Sequence, residues 1–126
     1  MGANDVQVGG RHYAGEIQHW DLIERYGIGY LEGCATKYVQ RWRKKNGAQD
    51  LQKAIHYVDK LLELYDEGCR IPRGIVPINV LQDFARVHEL NVHEMGAIVS
   101  LCAWTCRANL ESARNDIAQL LLTAGD

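Results

Sequence analysis

Apolar residues recur every three or four positions along most of the chain, and glycine, proline or asparagine separates the runs. This spacing is typical of amphipathic helices. The clearest run predicts a helix over residues 48–67, and Gly68 marks its end because glycine readily adopts the left-handed conformation found there. Asn46 and Gly47 before it predict a tight turn. The predicted inner face of this helix consists of Leu51, Ala54, Ile55, Val58, Leu61, Leu62 and Tyr65.

The same period predicts five further helices, over residues 17–26, 29–45, 79–90, 91–107 and from 109 onward. Asn79 and Asn109 are candidate caps, and Asn91 with Glu94 three residues later has the spacing of a capping box. The turn at residues 46–47 is so short that the helices on either side of it must form an antiparallel hairpin.

We therefore predict an all-α fold, a helical bundle of two helical hairpins, each with a short leading helix. An irregular arm over residues 1–16 precedes the first hairpin. Residues 69–77 contain two prolines and a glycine and are the predicted linker between residues 1–68 and 78–126.

The two halves repeat an order of features. Asp21-Leu22 corresponds to Asp83-Phe84, and Gly33 corresponds to Gly96. Leu51, Ala54 and Leu61 correspond to Leu110, Ala113 and Leu120, and Ser100 and Trp104 then take the places of Lys37 and Arg41. Internal duplication and chance resemblance between small hairpins both explain the matches. Under duplication, the second half is a scaffold that has lost the charge.

No charged residue occurs from Met95 to Cys106. A helix that is apolar nearly all round lies either in the centre of the fold or at a subunit interface. Because 126 residues can hardly cover it, we expect residues 78–126 to be the oligomerisation half of a homo-oligomer.

Composition narrows the class of protein. With 47% hydrophobic and 24% charged residues, this is an ordinary globular chain. A net charge of −2 argues against general nucleic-acid binding. No apolar run approaches the roughly 20 residues that span a membrane, and no signal-peptide pattern opens the sequence. We expect a cytoplasmic protein without a membrane partner.

The four cysteines, Cys34, Cys69, Cys102 and Cys106, lack the spacing of a disulfide framework. Cys102 and Cys106 share a helix face, and two histidines precede them, so a zinc site is one hypothesis. We favour small buried cysteines in a reducing cytoplasm and expect no metal site.

Residues 37–45 contain five of the fourteen basic residues and no acid. On a helix, Lys37, Arg41, Lys44 and Lys45 share one face, and Gly33 lies one turn before them, where a ligand could approach the backbone. Tyr38 and Trp42 form an adjacent apolar stripe with Leu31, Cys34 and Ala35. A helix with such a face is suited to three roles: it binds phosphate, it binds an acidic partner, or its charges are simply solvated.

The first half also carries a distinctive pattern: Val8-Gly9-Gly10, His12-Tyr13, Ile17, Trp20-Asp21, Glu32-Gly33, Lys37-Tyr38, Arg41, Arg43-Lys44-Lys45, Gly47, Asp50-Leu51, Lys53-Ala54 and Tyr57. Over residues 6–65 this resembles a small bacteriophage domain family of formerly unknown function. One coliphage member is a nucleotide kinase that acts on deoxynucleoside monophosphates without the usual phosphate-binding loop. The chain departs from the family at His19, where proline is expected.

The resemblance implies a nucleotide ligand, and the residue types agree. Arginine forks onto phosphate oxygens, lysine supplies a point charge, paired glycines turn backbone amides toward an anion, and aromatic rings stack on bases. The candidate phosphate-binding residues are Gly9, Gly10, His12, Tyr13, Gly33, Lys37, Arg41, Arg43 and Lys44, and the candidates for base stacking are Trp20 and Tyr38. We expect Glu32 and Asp50 to pair with basic residues.

Two functions fit these residues. The first is a nucleotide-binding protein that sequesters a phosphate-bearing nucleotide, cyclic or of a signalling kind, as an anti-defence sponge in the host cytoplasm, with no cofactor. The alternative is a nucleoside monophosphate kinase that uses Mg²⁺ and ATP. The sequence contains no GxxxxGK[ST] loop and no obvious pair of magnesium-holding acids near the basic residues, so we favour the first and assign no catalytic residue.

Overall fold

The computed structural model describes residues 2–3 and 16–124. Most of the predicted arm, with Gly9, Gly10, His12 and Tyr13, lies outside the described residues. The helices are α1 (His19–Arg25), α2 (Tyr30–Arg41), α3 (Ala48–Asp66), α4 (Ile78–Val87), α5 (Val92–Cys102) and α6 (Arg107–Ala124). The all-α prediction is confirmed: α2 packs against α3, and α5 packs against α6.

One hydrophobic core joins both halves of the chain. Helix α2 packs on α5 as well as on α3, and α3 packs on α6. Residues from both hairpins, such as Leu51, Val58, Ile98 and Ile117, are fully or almost fully buried in the same cluster. The segment predicted as a linker therefore connects two halves that fold against each other.

Two predicted helices are shorter than their apolar period suggests. Helix α2 ends at Arg41, where a 3₁₀ turn, Trp42–Lys44, begins, and α5 ends at Cys102. In each case a buried tryptophan follows and donates its indole N–H to a buried carboxylate, Trp42 to Glu94 and Trp104 to Glu32. A bond of this kind fixes the chain direction after the helix, and local periodicity does not show it.

The predicted caps are partly correct. Asn91 and Glu94 form the predicted capping box at the start of α5. Helix α4 begins one residue before the predicted cap Asn79, with Pro77 in the cap position. Asn109 lies inside the first turn of α6, where its Oδ1 accepts a hydrogen bond from the Thr105 amide at 2.9 Å.

Helix α5 is the central helix of the fold. Its side chains Ala97, Ile98, Leu101 and Cys102 are buried against α2, α4 and α6. The other helices of the same chain therefore cover this apolar helix. Its apolar surface no longer supports the predicted homo-oligomer, which stays a prediction. Expected burial of the cysteines holds only for Cys102, since Cys34 is partly buried, and Cys69 and Cys106 are exposed.

The two hairpins make the same contacts, in the register predicted for Asp21-Leu22 and Asp83-Phe84 but one residue away from that predicted for Gly33 and Gly96. In the turn before α2 the Ile28 amide bonds to the Ile23 carbonyl, and in the turn before α5 the Leu90 amide bonds to the Ala85 carbonyl. Each turn contains one residue with a left-handed φ, Gly27 at 67° and Glu89 at 54°.

The tryptophans fix this register. Because Trp42 and Trp104 make the same bond to the opposite hairpin, they are the equivalent pair. The counterparts of Lys37 and Arg41 are then Val99 and Ala103, and the predicted match to Ser100 and Trp104 is wrong by one residue.

Candidate functional site

Lys37 and Arg41, one turn apart on α2, lie together beside a cavity of about 410 Å³. Lys37 is exposed and Arg41 is partly exposed. The other lining residues come from the start of α1, from α2 and from the end of α4: Gln18, His19, Trp20, Gln40 and His88. Of the predicted site residues, the structure therefore brings together Lys37, Arg41 and Trp20.

Arg41 is held by a buried carboxylate. Its Nε and Nη2 donate to the two oxygens of Asp50 at 3.3 and 3.4 Å. Burial disfavours the charged form of Asp50, but the hydrogen bonds from Arg41 and Asn46 outweigh burial and lower its pKa. The predicted pairing of Asp50 with a basic residue is confirmed, and the partner fixes the orientation of the guanidinium.

Arg43 has a structural role, because it joins the two hairpins. Its Nε and Nη2 donate to Glu94 at 2.9 Å each, and Nη2 also donates to the Glu89 carbonyl at 2.8 Å. Glu94 has no exposed side-chain surface and also accepts the Trp42 indole N–H. Arg43 of the first hairpin therefore bonds to the second hairpin and does not line the cavity.

The other two predicted contacts on this segment, Gly33 and Lys44, do not line this cavity. Gly33 lines a neighbouring recess of about 380 Å³ together with Lys37 and Trp20. Gly33 is buried, and a Cβ there would lie 3.3 Å from Cγ2 of Ile23. Its missing side chain lets α1 pack on α2. Lys44 is exposed in the 3₁₀ turn after α2, so it does not continue the helix face of Lys37 and Arg41 as predicted.

Two histidines that were not among the predicted binding residues, His19 and His88, line the cavity. His88 Nε2 lies 2.8 Å from the Ile17 carbonyl and must donate, so Nδ1 accepts from the Gln40 amide at 3.2 Å. This arrangement defines a neutral imidazole. Burial lowers the pKa of His88.

His19 is largely buried and also donates a hydrogen bond through Nε2. Its Nε2 lies 2.7 Å from the Thr36 hydroxyl, whose own proton points to the carbonyls of Glu32 and Gly33. Burial, aided by the positive charge of Lys37, lowers the pKa of His19 from 6.5 to about 4. Among the described lining residues, the positive charge therefore comes from Lys37 and Arg41, and Lys44 is close enough to His88 to help lower the pKa of that histidine.

A second hollow, of about 440 Å³, lies on the side of α2 that faces α3. We call it the tyrosine groove, and its lining residues are Leu31, Tyr38, Lys53, His56, Tyr57 and Lys60. The Tyr38 ring lies between the two hollows: the Arg41 Cζ is 4.8 Å, the Lys53 Nζ 5.4 Å and the Lys37 Nζ 6.0 Å from its centroid.

The tyrosine groove was only partly visible in the sequence. Tyr38 was a stacking candidate, and Lys53 and Tyr57 belong to the pattern that carries the family resemblance. His56 and Lys60 carried no such signal. Their spacing along α3 with Lys53 and Tyr57 follows the helical period and could have indicated a shared face.

A third cluster is buried between the hairpins. Glu32 Oε2 accepts from the Trp104 indole N–H at 2.8 Å and forms an ion pair with Arg70, which confirms the predicted pairing of Glu32 with a basic residue. Within the described residues, Glu32 Oε1 has no hydrogen-bond partner. Burial, with Glu32 nearby, raises the pKa of Cys102 to about 12.

The described residues contain neither a cluster of metal ligands nor a membrane-spanning helix. Across residues 2–3 and 16–124, no group of three or more His, Cys, Asp or Glu side chains is placed to hold a metal ion. No helix in the described part of the chain has the length and apolarity needed to cross a membrane.

Comparison with known proteins gives a match only for the first half of the chain. No match was found among curated proteins or among solved structures. Residues 8–59, which include α1, α2 and the first part of α3, match DUF3310, a protein family described as of unknown function.

Proposed function

We propose that this protein binds a phosphate-bearing nucleotide at Lys37 and Arg41 and holds it without chemical change. The ligand's phosphate lies over these two cations, and its base lies in the cavity toward Trp20. The observation that carries the proposal is the convergence of Lys37, Arg41 and Lys53 around a single aromatic ring.

The charge balance around that ring favours an anion. Of the three cations near Tyr38 in the described part of the chain, Arg41 is paired with Asp50. Within the described residues, the ion pairs include neither Lys37 nor Lys53. Cations that are held close together without a matching acid repel one another, and a phosphate relieves that repulsion while accepting charge-assisted hydrogen bonds.

Binding without turnover agrees with the roles of the buried carboxylates Asp50, Glu94 and Glu32. Phosphoryl transfer usually needs carboxylates that hold magnesium beside the phosphates. Here Asp50 accepts from Arg41, Glu94 from Arg43 and Trp42, and Glu32 from Arg70 and Trp104. Each is committed to the framework, so we favour a binding protein over the kinase that the family resemblance implies.

Sequestration requires only affinity and abundance. If the chain comes from a bacteriophage, as the resemblance implies, a protein that retains a signalling nucleotide would act as a sponge against host defence. Nothing in that role requires a second substrate pocket or a cofactor.

The direct test is to incubate the purified protein with mono-, di-, tri- and cyclic nucleotides, with and without Mg²⁺, and then to denature it by heat. Chromatography and mass spectrometry of the supernatant identify what was retained. A nucleotide depleted from solution and released unchanged supports the proposal. A new phosphorylated product with loss of ATP would establish the kinase instead, and no retention at all would refute both.

The variant that tests the site is Lys37→Ala. Lys37 is exposed on a helix and has no ion pair among the described residues, so its removal should leave the fold intact. Loss of a charge-assisted hydrogen bond worth about 1.5–3 kcal/mol should weaken nucleotide binding by more than about tenfold.

Lys45→Ala is the matched control. It removes the same charge from an exposed residue that lines neither the cavity nor the tyrosine groove, and it should retain most of the affinity. Equal binding by both variants and the unmodified chain would show that the phosphate lies elsewhere.

A further inference from the structure

The tyrosine groove has features that one bound mononucleotide does not use. It lies on the α3 side of Tyr38, whereas Trp20 and the cavity lie on the α1 side. Each hollow is near the lower end of the roughly 300–1,000 Å³ range of ligand pockets, so each has space for one nucleotide unit.

The floor of the groove is aromatic. The rings of Tyr38 and Tyr57 are almost parallel, with an angle of 17° between planes and 5.9 Å between centroids. Tyr30 meets Tyr57 edge-on at 6.4 Å. Two parallel rings form a platform for a planar base, and such stacking accepts any base because every base has a π face.

The charges of α3 are divided between its faces. Asp59 and Asp66 pair with Arg114 and Arg107 of α6, at 2.6 and 2.9 Å. Lys53, His56 and Lys60 lie on the groove side, where Lys60 pairs with Glu63. The groove therefore offers exposed Lys53 and His56 beside the aromatic platform, a combination suited to a base linked to an anion.

We propose that the tyrosine groove binds the second base of a dinucleotide, linear or cyclic, whose phosphate is held at Lys37 and Arg41. The first base lies toward Trp20, the phosphate crosses the cations around Tyr38, and the second base stacks on Tyr57 with Lys53 beside it. This inference rests on the proposed phosphate site and deepens it by naming the ligand class.

The test compares AMP with the linear dinucleotide pApA by titration calorimetry on the full chain. We expect pApA to bind at least about tenfold more tightly than AMP, because stacking of one base on an aromatic side chain contributes on the order of one to two powers of ten in affinity. Equal affinities for the two probes would overturn the inference and leave the phosphate site standing.

Two variants then assign the second base to the groove. Tyr57→Leu removes the platform while keeping an apolar side chain, and Lys53→Ala removes an exposed charge without touching the core. Tyr57→Leu should lower pApA affinity toward that of AMP and leave AMP binding unchanged. Lys53→Ala should weaken pApA binding more than AMP binding, because Lys53 is also one of the cations around Tyr38. Lys45→Ala should change neither.

The remaining outcomes separate this inference from the proposed function. If both variants bind pApA like the unmodified chain, the groove is not the second subsite. If neither probe binds the unmodified chain, the phosphate site and this inference both fail. If Tyr57→Leu weakens binding and Lys37→Ala does not, the groove binds nucleotide by itself and the bridging arrangement is wrong.

Discussion

The two hairpins share a framework and differ in the surface built on it. In the first hairpin the Asn46 amide donates to Asp50, and in the second the Thr105 amide donates to Asn109. Glu32 and Glu94, both in the first turn of their helices, each accept from the tryptophan of the opposite hairpin. These contacts lie at equivalent positions, so either hairpin can be used to interpret the other.

The surfaces at equivalent positions have different chemistry. Lys37, Tyr38 and Arg41 of α2 correspond to Val99, Ser100 and Ala103 of α5. On the following helices, Lys53, His56, Tyr57 and Lys60 correspond to Ser112, Asn115, Asp116 and Gln119. The second hairpin shows that the framework does not need cations or aromatic rings here, which favours a ligand-binding role for them in the first.

The largest expected effect comes from breaking the framework itself. Arg43→Ala and Arg70→Ala each leave a buried glutamate, Glu94 or Glu32, without its arginine. Loss of one partner of a buried ion pair costs about 3–5 kcal/mol. We expect Arg70→Ala to be the more destabilising, because the Arg70 side chain is 9% exposed and that of Arg43 is 46% exposed.

Urea unfolding measures both variants, with Arg25→Ala as the control. Arg25 pairs with Asp21 at the surface, and such pairs contribute about 0–1 kcal/mol. If Arg43→Ala unfolds at the same urea concentration as Arg25→Ala, the proposed framework role of Arg43 is refuted.

The next prediction uses the second hairpin as a template. Arg41→Ala alone leaves the buried carboxylate of Asp50 unpaired and should cost about 3–5 kcal/mol. The second hairpin has Ala103 and Asn109 at these positions, so Arg41→Ala with Asp50→Asn should recover most of the loss. A double-mutant cycle by urea unfolding measures the coupling.

This double variant also separates binding from folding. It keeps the hairpin and removes a cation of the proposed phosphate site, so we expect it to be folded and to bind nucleotide weakly. If the two substitutions are strictly additive in free energy of unfolding, Asp50 and Arg41 are not coupled and the template argument fails.

Acidification should affect the first hairpin through His19, whose counterpart is the buried Leu81. The pKa of His19 is lowered in the fold from 6.5 to about 4, so the unfolded chain binds a proton that the folded chain does not. Stability is thus complete above about pH 6.5 and falls as the pH decreases to about 4, by roughly 3 kcal/mol at most.

The matched variant combines His19→Leu with Thr36→Val, which removes the histidine and its hydroxyl partner together. Its free energy of unfolding, measured by urea at pH 7, 6, 5 and 4.5, should fall less over this range than that of the unmodified chain. The remaining decrease includes His88, whose pKa is also lowered. An unchanged pH profile would show that His19 does not contribute.

The smallest effect is expected where the hairpins meet at the surface. Arg114→Ala removes the ion pair with Asp59, in which both side chains are 44% exposed. Its cost should be about 1 kcal/mol or less, and it should shrink further in high salt. Thermal unfolding at two salt concentrations measures it, and a cost near that of Arg70→Ala would contradict the distinction between framework and surface pairs.

The sequence was most informative where structure is local. Helix α3 begins at the predicted residue and ends within one residue of the predicted end, since a turn signal and a strong apolar period mark it. The capping box at Asn91 and Glu94 is also local, because both hydrogen bonds close within one turn. The ends of α2 and α5 depend on tryptophan bonds to the other hairpin, and periodicity missed both.

At the candidate site, too, local sequence patterns predict contacts within a helix and miss those between distant segments. Lys37 and Arg41 could be paired from spacing, because one helical turn brings them together. Arg43 has the same residue type and neighbourhood but binds Glu94, more than fifty residues later in the chain. His88 reaches the cavity from the other half, beside Gln40 of α2. No local pattern distinguishes these cases, because each is decided by which helix lies opposite.

The sequence by itself therefore determined the all-helical class, the hairpin of α2 and α3, the cationic pair on α2 and the resemblance of the first half to a small domain family of unknown function. Only the tertiary structure decided the register between the halves, the arginines committed to buried glutamates, and the groove between α2 and α3. Helical spacing follows from backbone geometry that repeats every few residues, whereas the partner of a charge depends on packing between distant segments.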